Sequence, residues 1–74
     1  IRFDIPIMAD VRLTIYNMMG QKVKEYQMNG LSAGNHTFTW NATNSLGAPV
    51  AAGIYLYQLQ TKGFVKTKKM ALIK

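Results

Sequence analysis

The chain carries few side chains that can act as an acid, a base, a nucleophile or a metal ligand. Its only histidine is His36, its three carboxylates are Asp4, Asp10 and Glu25, and it has no cysteine. Acid–base catalysis and metal binding need such groups in pairs or clusters, whereas these are scattered singly along the sequence. The sequence therefore predicts no enzyme, no metal site and no cofactor, and it favours a structural or surface role for His36.

Length and charge limit the remaining classes of function. The chain has 74 residues, of which 49% are hydrophobic, and a net charge of +6, so it is long enough for one small domain. Its lysines are spread at strand spacing between apolar residues, which favours solvated strand faces and guarded sheet edges over nucleic-acid binding. It starts at Ile1 without a methionine, and we therefore expect it to be part of a longer polypeptide.

The element that must position every other residue is the strand predicted at residues 54–59. This run is rich in β-branched and aromatic residues and contains no residue that breaks a strand. Period-two alternation places Tyr55, Tyr57 and Leu59 on one face. Gly53, directly before the run, can adopt a positive φ or allow the close approach of another chain. We predict this strand to be central in its sheet.

Alternating patterns predict the other strands, which are residues 1–5, 11–16, 22–28, 35–41 and 64–74. The polar strand 22–28 is expected at a sheet edge, and the last strand is expected to bulge or bend near Lys68–Lys69. Asn29–Gly30 is a strong turn signal. Trp40 is the largest apolar side chain and is predicted to anchor the core, and Leu46 is predicted to tuck back from its loop. Thr14 is predicted to face solvent.

These patterns predict an all-β fold, a small immunoglobulin-like antiparallel β-sandwich of about six to seven short strands, because short strands recur at near-regular spacing with Gly/Asn turns between them. Residues 1–74 form one domain in this interpretation. The first strand of such a sandwich is either missing or lies upstream of Ile1. Its loss would expose a sheet edge through which two copies could dimerise.

Four segments carry a recurring pattern in a fixed order. Residues 11–23 resemble VxLxIYDxxGRxV, residues 33–40 AGxHxxxW, residues 50–59 VaSGxYfYrL and residues 69–74 KMvLlK. The set is similar to the C-terminal sorting domains of the type IX (Por) secretion system, and the related immunoglobulin-like domain of flagellar hook-capping proteins shares much of it. The chain departs from the pattern at Asn41–Ala42, where Asp-Gly is common.

The resemblance implies a removable secretion signal. Such domains follow an N-terminal cargo, often a hydrolase or adhesin, in bacteria of the Bacteroidota type. The type IX translocon and shuttle at the outer membrane would recognise the folded domain, and a sortase-like peptidase would then remove it. The protein would pass through the periplasm and end outside the cell or on its surface. The end of the chain at Lys74, after the last motif, is expected to be a true C-terminus.

The resemblance also assigns roles to particular residues. The recognition residues that it implies are Gly53, Tyr55, Lys69, Met70, Leu72 and Lys74. Gly20, Trp40 and Tyr57 are expected to be structural. Recognition through an exposed last strand would be strand addition at a sheet edge.

Two other functions remain open. One is a structural immunoglobulin-like spacer or hook-cap-like module in a larger extracellular protein. The other is a small carbohydrate-binding module, which needs an exposed coplanar pair of aromatic rings.

Overall fold

A computed structural model describes residues 1–73, which form six strands. These are β1 (Arg2–Ile5), β2 (Ala9–Tyr16), β3 (Lys22–Leu31), β4 (Gly34–Thr37), β5 (Gly53–Gln60) and β6 (Val65–Leu72). None of the described residues belongs to a helix that could cross a membrane.

The strands form two antiparallel sheets. One has four strands in the order β3–β2–β5–β6, and the other has the two strands β1 and β4. The predicted all-β immunoglobulin-like fold is confirmed. So are the inner position of β5 and the edge position of β3. β2 is as central as β5, because each of the two strands is paired on both sides.

The core lies between the two sheets. Val11, Leu13 and Ile15 on β2 are fully buried, because residues two apart in a strand point to the same face. The predicted inner residues of β5, which are Tyr55, Tyr57 and Leu59, join them, and Phe3 and Ile5 of β1 close the cluster from the other sheet. This face is the inner face of the four-stranded sheet.

Thr14 corrects a prediction about the opposite, outer face. It was expected to face solvent, yet only 4% of its surface is exposed. Its cross-strand neighbours are Glu25 and Gln58, and its short side chain lies between these longer ones. Position in the middle of the sheet therefore removes Thr14 from water even on the outer face.

The predicted turn at Asn29–Gly30 is wrong, because both residues lie inside β3. The register passes from Ala9↔Leu31 to Val11↔Met28, so two residues of β3 oppose Asp10 alone and form a β-bulge. The Asp10 carboxylate accepts a hydrogen bond from the Gly30 N–H at 2.8 Å. The Asp10 side chain thus stabilises a β-bulge at two residues whose types are typical of a turn.

The strand predicted over residues 35–41 ends early, at Thr37. The backbone N–H of Phe38 still donates to the Ile1 carbonyl at 2.7 Å, and the Ile1 amino group donates to the Phe38 carbonyl at 3.0 Å. These bonds lie one position beyond Arg2↔Thr37, the last register pair of β1 and β4. The backbone then leaves the sheet before Trp40.

Two predictions in the second half of the chain are also wrong. β6 is one unbroken strand without a bulge at Lys68–Lys69, since its register with β5 runs without a shift from Gln60↔Val65 to Gly53↔Leu72. Leu46 does not tuck back, and 91% of its surface is exposed. The side chain of Asn44 accepts hydrogen bonds from the Leu46 and Ala48 N–H groups, both at 3.0 Å, and this turn leaves Leu46 in solvent.

Candidate recognition surface

The two faces of β6 separate the predicted recognition residues. Met70 and Leu72 lie opposite Tyr55 and Gly53 on the inner face, where they are half-buried and pack against the core. Lys69 lies opposite Leu56 on the outer face and is exposed. Of the three residues, Lys69 alone presents its side chain to a partner without disturbing the core.

Gly53 and Tyr55 lie at the start of β5. Gly53 is exposed with a φ of +151°, a region that glycine adopts more readily than other residues, and no atom of another residue closely approaches the position of a side chain there. Tyr55 is buried, and its hydroxyl donates to the Ala51 carbonyl at 2.6 Å. Both residues therefore shape the entry into β5, Gly53 through its backbone and Tyr55 through its bond to Ala51. Lys74, the last predicted recognition residue, lies outside the described residues.

Two of the residues expected to be structural, Gly20 and Tyr57, lie in a turn and in the core. Tyr57 is buried in the core. Gly20 has a φ of +83° in the turn between β2 and β3 and donates its N–H to the Asn17 carbonyl at 3.0 Å. The Asn17 side chain accepts bonds from the Met19 and Gln21 N–H groups at 2.9 and 3.0 Å. This turn needs Gly20 because a positive φ is costly for a residue with a side chain.

Trp40 lies at the margin of the core. The prediction that Trp40 anchors the core is therefore wrong. Its indole is half-buried and meets the Tyr55 ring edge-on, at a centroid distance of 5.3 Å and an interplanar angle of 74°. Its Nε1–H donates to the Thr43 carbonyl at 2.9 Å. The near-perpendicular rings and the burial of Tyr55 and Tyr57 count against a carbohydrate-binding platform at these aromatic residues.

His36 has two structural contacts. Its ring stacks on Phe3 at a centroid distance of 5.5 Å, and its Nε2 lies 2.6 Å from the Ser32 carbonyl oxygen. Among the described residues, no cluster of three or more His, Cys, Asp or Glu side chains is placed to bind a metal ion.

Three cationic side chains that the sequence placed only on separate strands lie together in the structure. They are Arg2, Lys66 and Lys68. Lys66 and Lys68 lie on the inner face of β6, opposite Leu59 and Tyr57. With Arg2 and Asp4 of β1 they line a cleft of about 170 Å³, which we call the β1–β6 cleft. The spacing of Lys66 and Lys68 by two residues was a signal for a shared face, but only the fold places β1 beside them.

Comparison with known proteins places the chain among immunoglobulin-like domains. The family model described as FlgD Ig-like domain matches residues 1–63. The crystal structure of FlgD from P. aeruginosa is similar, with a TM-score of 0.79 and 23% sequence identity. That similarity covers 96% of this chain but only 56% of the FlgD chain. No curated protein matches the sequence.

Proposed function

The chain belongs to the FlgD Ig-like domain family, and from this premise we propose that it is a non-catalytic structural module of a larger extracellular protein of the hook-capping kind. The family match over residues 1–63 is the observation that carries the proposal. The two-sheet architecture supports it, because the buried side chains are almost entirely apolar and serve to hold the sheets together.

A domain exchange tests this function. In a flagellated bacterium, the immunoglobulin-like domain of the hook-capping protein would be replaced by residues 1–74, and hooks would be counted by electron microscopy. We expect the chimaera to restore hooks to a strain that lacks the capping protein, since a structural module contributes its fold. A matched chimaera carrying Leu13→Ala, which removes a fully buried side chain, is the negative control. A stable, folded chimaera that builds no hooks would contradict the proposal.

We propose the type IX secretion signal as a second function, because residues 69–74 resemble the terminal motif of the sorting domains. β6 begins after residue 63, where the family match ends, and it holds most of the segment that resembles the sorting-domain terminus. Lys69 in this segment is exposed. In this alternative, the translocon and shuttle bind β6, a sortase-like peptidase removes the domain, and the N-terminal cargo leaves the periplasm for the cell surface or the medium.

Export of a reporter distinguishes the two functions. Residues 1–74 would be fused to the C-terminus of a periplasm-directed fluorescent protein, in a host with a working type IX system and in its translocon-deficient mutant. If the domain is a sorting signal, the reporter leaves the first host only. Lys69→Glu should then reduce export roughly tenfold or more. The introduced carboxylate would repel the acidic partner group that Lys69 is expected to contact.

The controls use the placement of each side chain. Lys62→Glu makes the same charge change in the turn before β6 and should leave export unchanged. Deletion of Met70–Lys74 is a weaker test, because Met70 and Leu72 pack against the core and their loss also destabilises the domain. A folded domain that stays in the periplasm of both hosts would rule out the secretion signal.

A further inference from the structure

The edge of β6 that points away from β5 pairs with no other strand of residues 1–73. The Thr61 N–H donates to the Phe64 carbonyl at 2.9 Å, and paired residues of an antiparallel ladder alternate between bonded and non-bonded pairs. Even-numbered residues of β6 therefore direct their backbone groups at β5. Val65, Thr67, Lys69 and Ala71 direct theirs away from it, where no strand of the described residues pairs with them.

The opposite edge of the same sheet is protected. β3 contains the bulge opposite Asp10. In addition, both the N–H and the hydroxyl of Ser45 donate to the Val23 carbonyl, at 3.0 and 3.1 Å, so the loop after Trp40 covers part of this edge. Bulges, prolines and covering loops close an edge to any strand, whereas lysines on an edge keep other strands away by their charge and leave it open to an acidic one. β6 has neither a bulge nor a proline, and within residues 1–73 no loop bonds to its outer backbone groups.

The charge of β6 selects among partners for this edge. Lys66, Lys68 and Lys69 lie on the strand, and side chains directly opposite each other interact across paired strands. Pairing with β6 of a second copy would bring lysines near lysines. The one salt bridge found among the described residues joins Lys22 to Glu25, so these three lysines pair with no carboxylate within residues 1–73.

The β1–β6 cleft adds direction to this charge. Its lining includes three cationic residues and one carboxylate, which are Arg2, Lys66, Lys68 and Asp4. The cleft opens on the inner side of β6, because the two-stranded sheet does not cover Lys66 and Lys68, which are both exposed.

We propose that the free edge of β6 binds an extended acidic polypeptide as an added antiparallel strand. Backbone groups of residues 65, 67, 69 and 71 pair with the added strand. Its inner side chains are acidic beside Lys66 and Lys68, where they enter the β1–β6 cleft, and apolar beside the half-buried Met70 and Leu72. This surface is additional to the structural role of the module and does not depend on it.

A synthetic peptide with the matching pattern tests the proposal. The probe is the labelled peptide Thr-Val-Thr-Val-Thr-Glu-Thr-Glu, as long as β6, and its binding to the full chain is followed by fluorescence anisotropy. We expect Lys66→Glu with Lys68→Glu to weaken binding by roughly tenfold or more, since two favourable cross-strand pairs become repulsive. Lys22→Glu with Lys24→Glu, the matched double charge change on the opposite edge strand β3, should weaken it by less than about threefold.

Two further measurements separate strand addition from general attraction to anions. A peptide N-methylated on the amides that face β6 keeps its charge but cannot form the ladder, and it should lose most of its affinity. Amide exchange of Thr67 and Lys69 should slow when the unmodified peptide binds. Equal binding of the methylated peptide or of a single-stranded oligonucleotide would overturn the proposal. So would a dimer of the chain joined through β6 in sedimentation equilibrium.

Discussion

Leu13→Ala is expected to destabilise the domain by about 2–5 kcal/mol, the cost of removing a buried leucine side chain and leaving a cavity. Leu13 is completely buried on β2, which is paired on both sides by β3 and β5. For 74 residues, the typical free energy of unfolding is roughly 4–11 kcal/mol. The loss therefore consumes a large part of the stability, and the variant should be partly unfolded at 37 °C.

Leu46→Ala is the matched control for this experiment. It makes the same chemical change at a side chain that is 91% exposed, and its effect should stay within about 0.5 kcal/mol. Urea unfolding followed by circular dichroism measures both variants. An effect of Leu13→Ala below about 1 kcal/mol would contradict a core centred on β2.

Trp40→Ala is expected to cost about 2–3 kcal/mol, less than the loss of a fully buried tryptophan, because the indole is only half-buried. The change removes the edge-on contact with Tyr55 and the hydrogen bond to the Thr43 carbonyl. That bond holds the start of the loop whose Ser45 covers the β3 edge. The variant should therefore also show faster amide exchange at Ser45.

Trp40→Phe separates the two contributions. It keeps an aromatic ring beside Tyr55 and loses the N–H donor, so it should cost about 1 kcal/mol, the typical net contribution of one hydrogen bond. Because Trp40 is the only tryptophan, unfolding of both variants must be followed by circular dichroism rather than by fluorescence. If both substitutions prove neutral, Trp40 does not hold this loop in solution.

The family relation limits what the fold says about function. At 23% identity, the likeness to FlgD from P. aeruginosa concerns the fold, and it covers 56% of that chain. The two proposed functions, a hook-cap-like module and a type IX signal, differ in the partner that would bind the domain and in the segment that would precede it. The exchange and export experiments address those two differences directly.

Local sequence patterns were sufficient to predict the six strands in their order, though not all of their bounds, and the inner faces of β2 and β5. Alternation between Val11, Leu13 and Ile15 predicts their common face because the side-chain period of a strand is two, and the structure buries all three. The same local reasoning failed at Asn29–Gly30, a turn signal that pairing with β2 holds inside a strand. It failed at Leu46 because apolar character alone does not say whether a loop can turn inward.

The sequence by itself determined that this chain is a small all-β domain without a clustered catalytic or metal-binding motif. Periodicity, turn residues and residue counts are local properties, and they suffice for those conclusions. Only the tertiary structure decided that a loop covers part of the β3 edge, that no strand within residues 1–73 pairs with the far edge of β6, and that Arg2 joins Lys66 and Lys68 at one cleft. The physical reason is that these features depend on pairing between strands far apart in the chain, which no local pattern specifies.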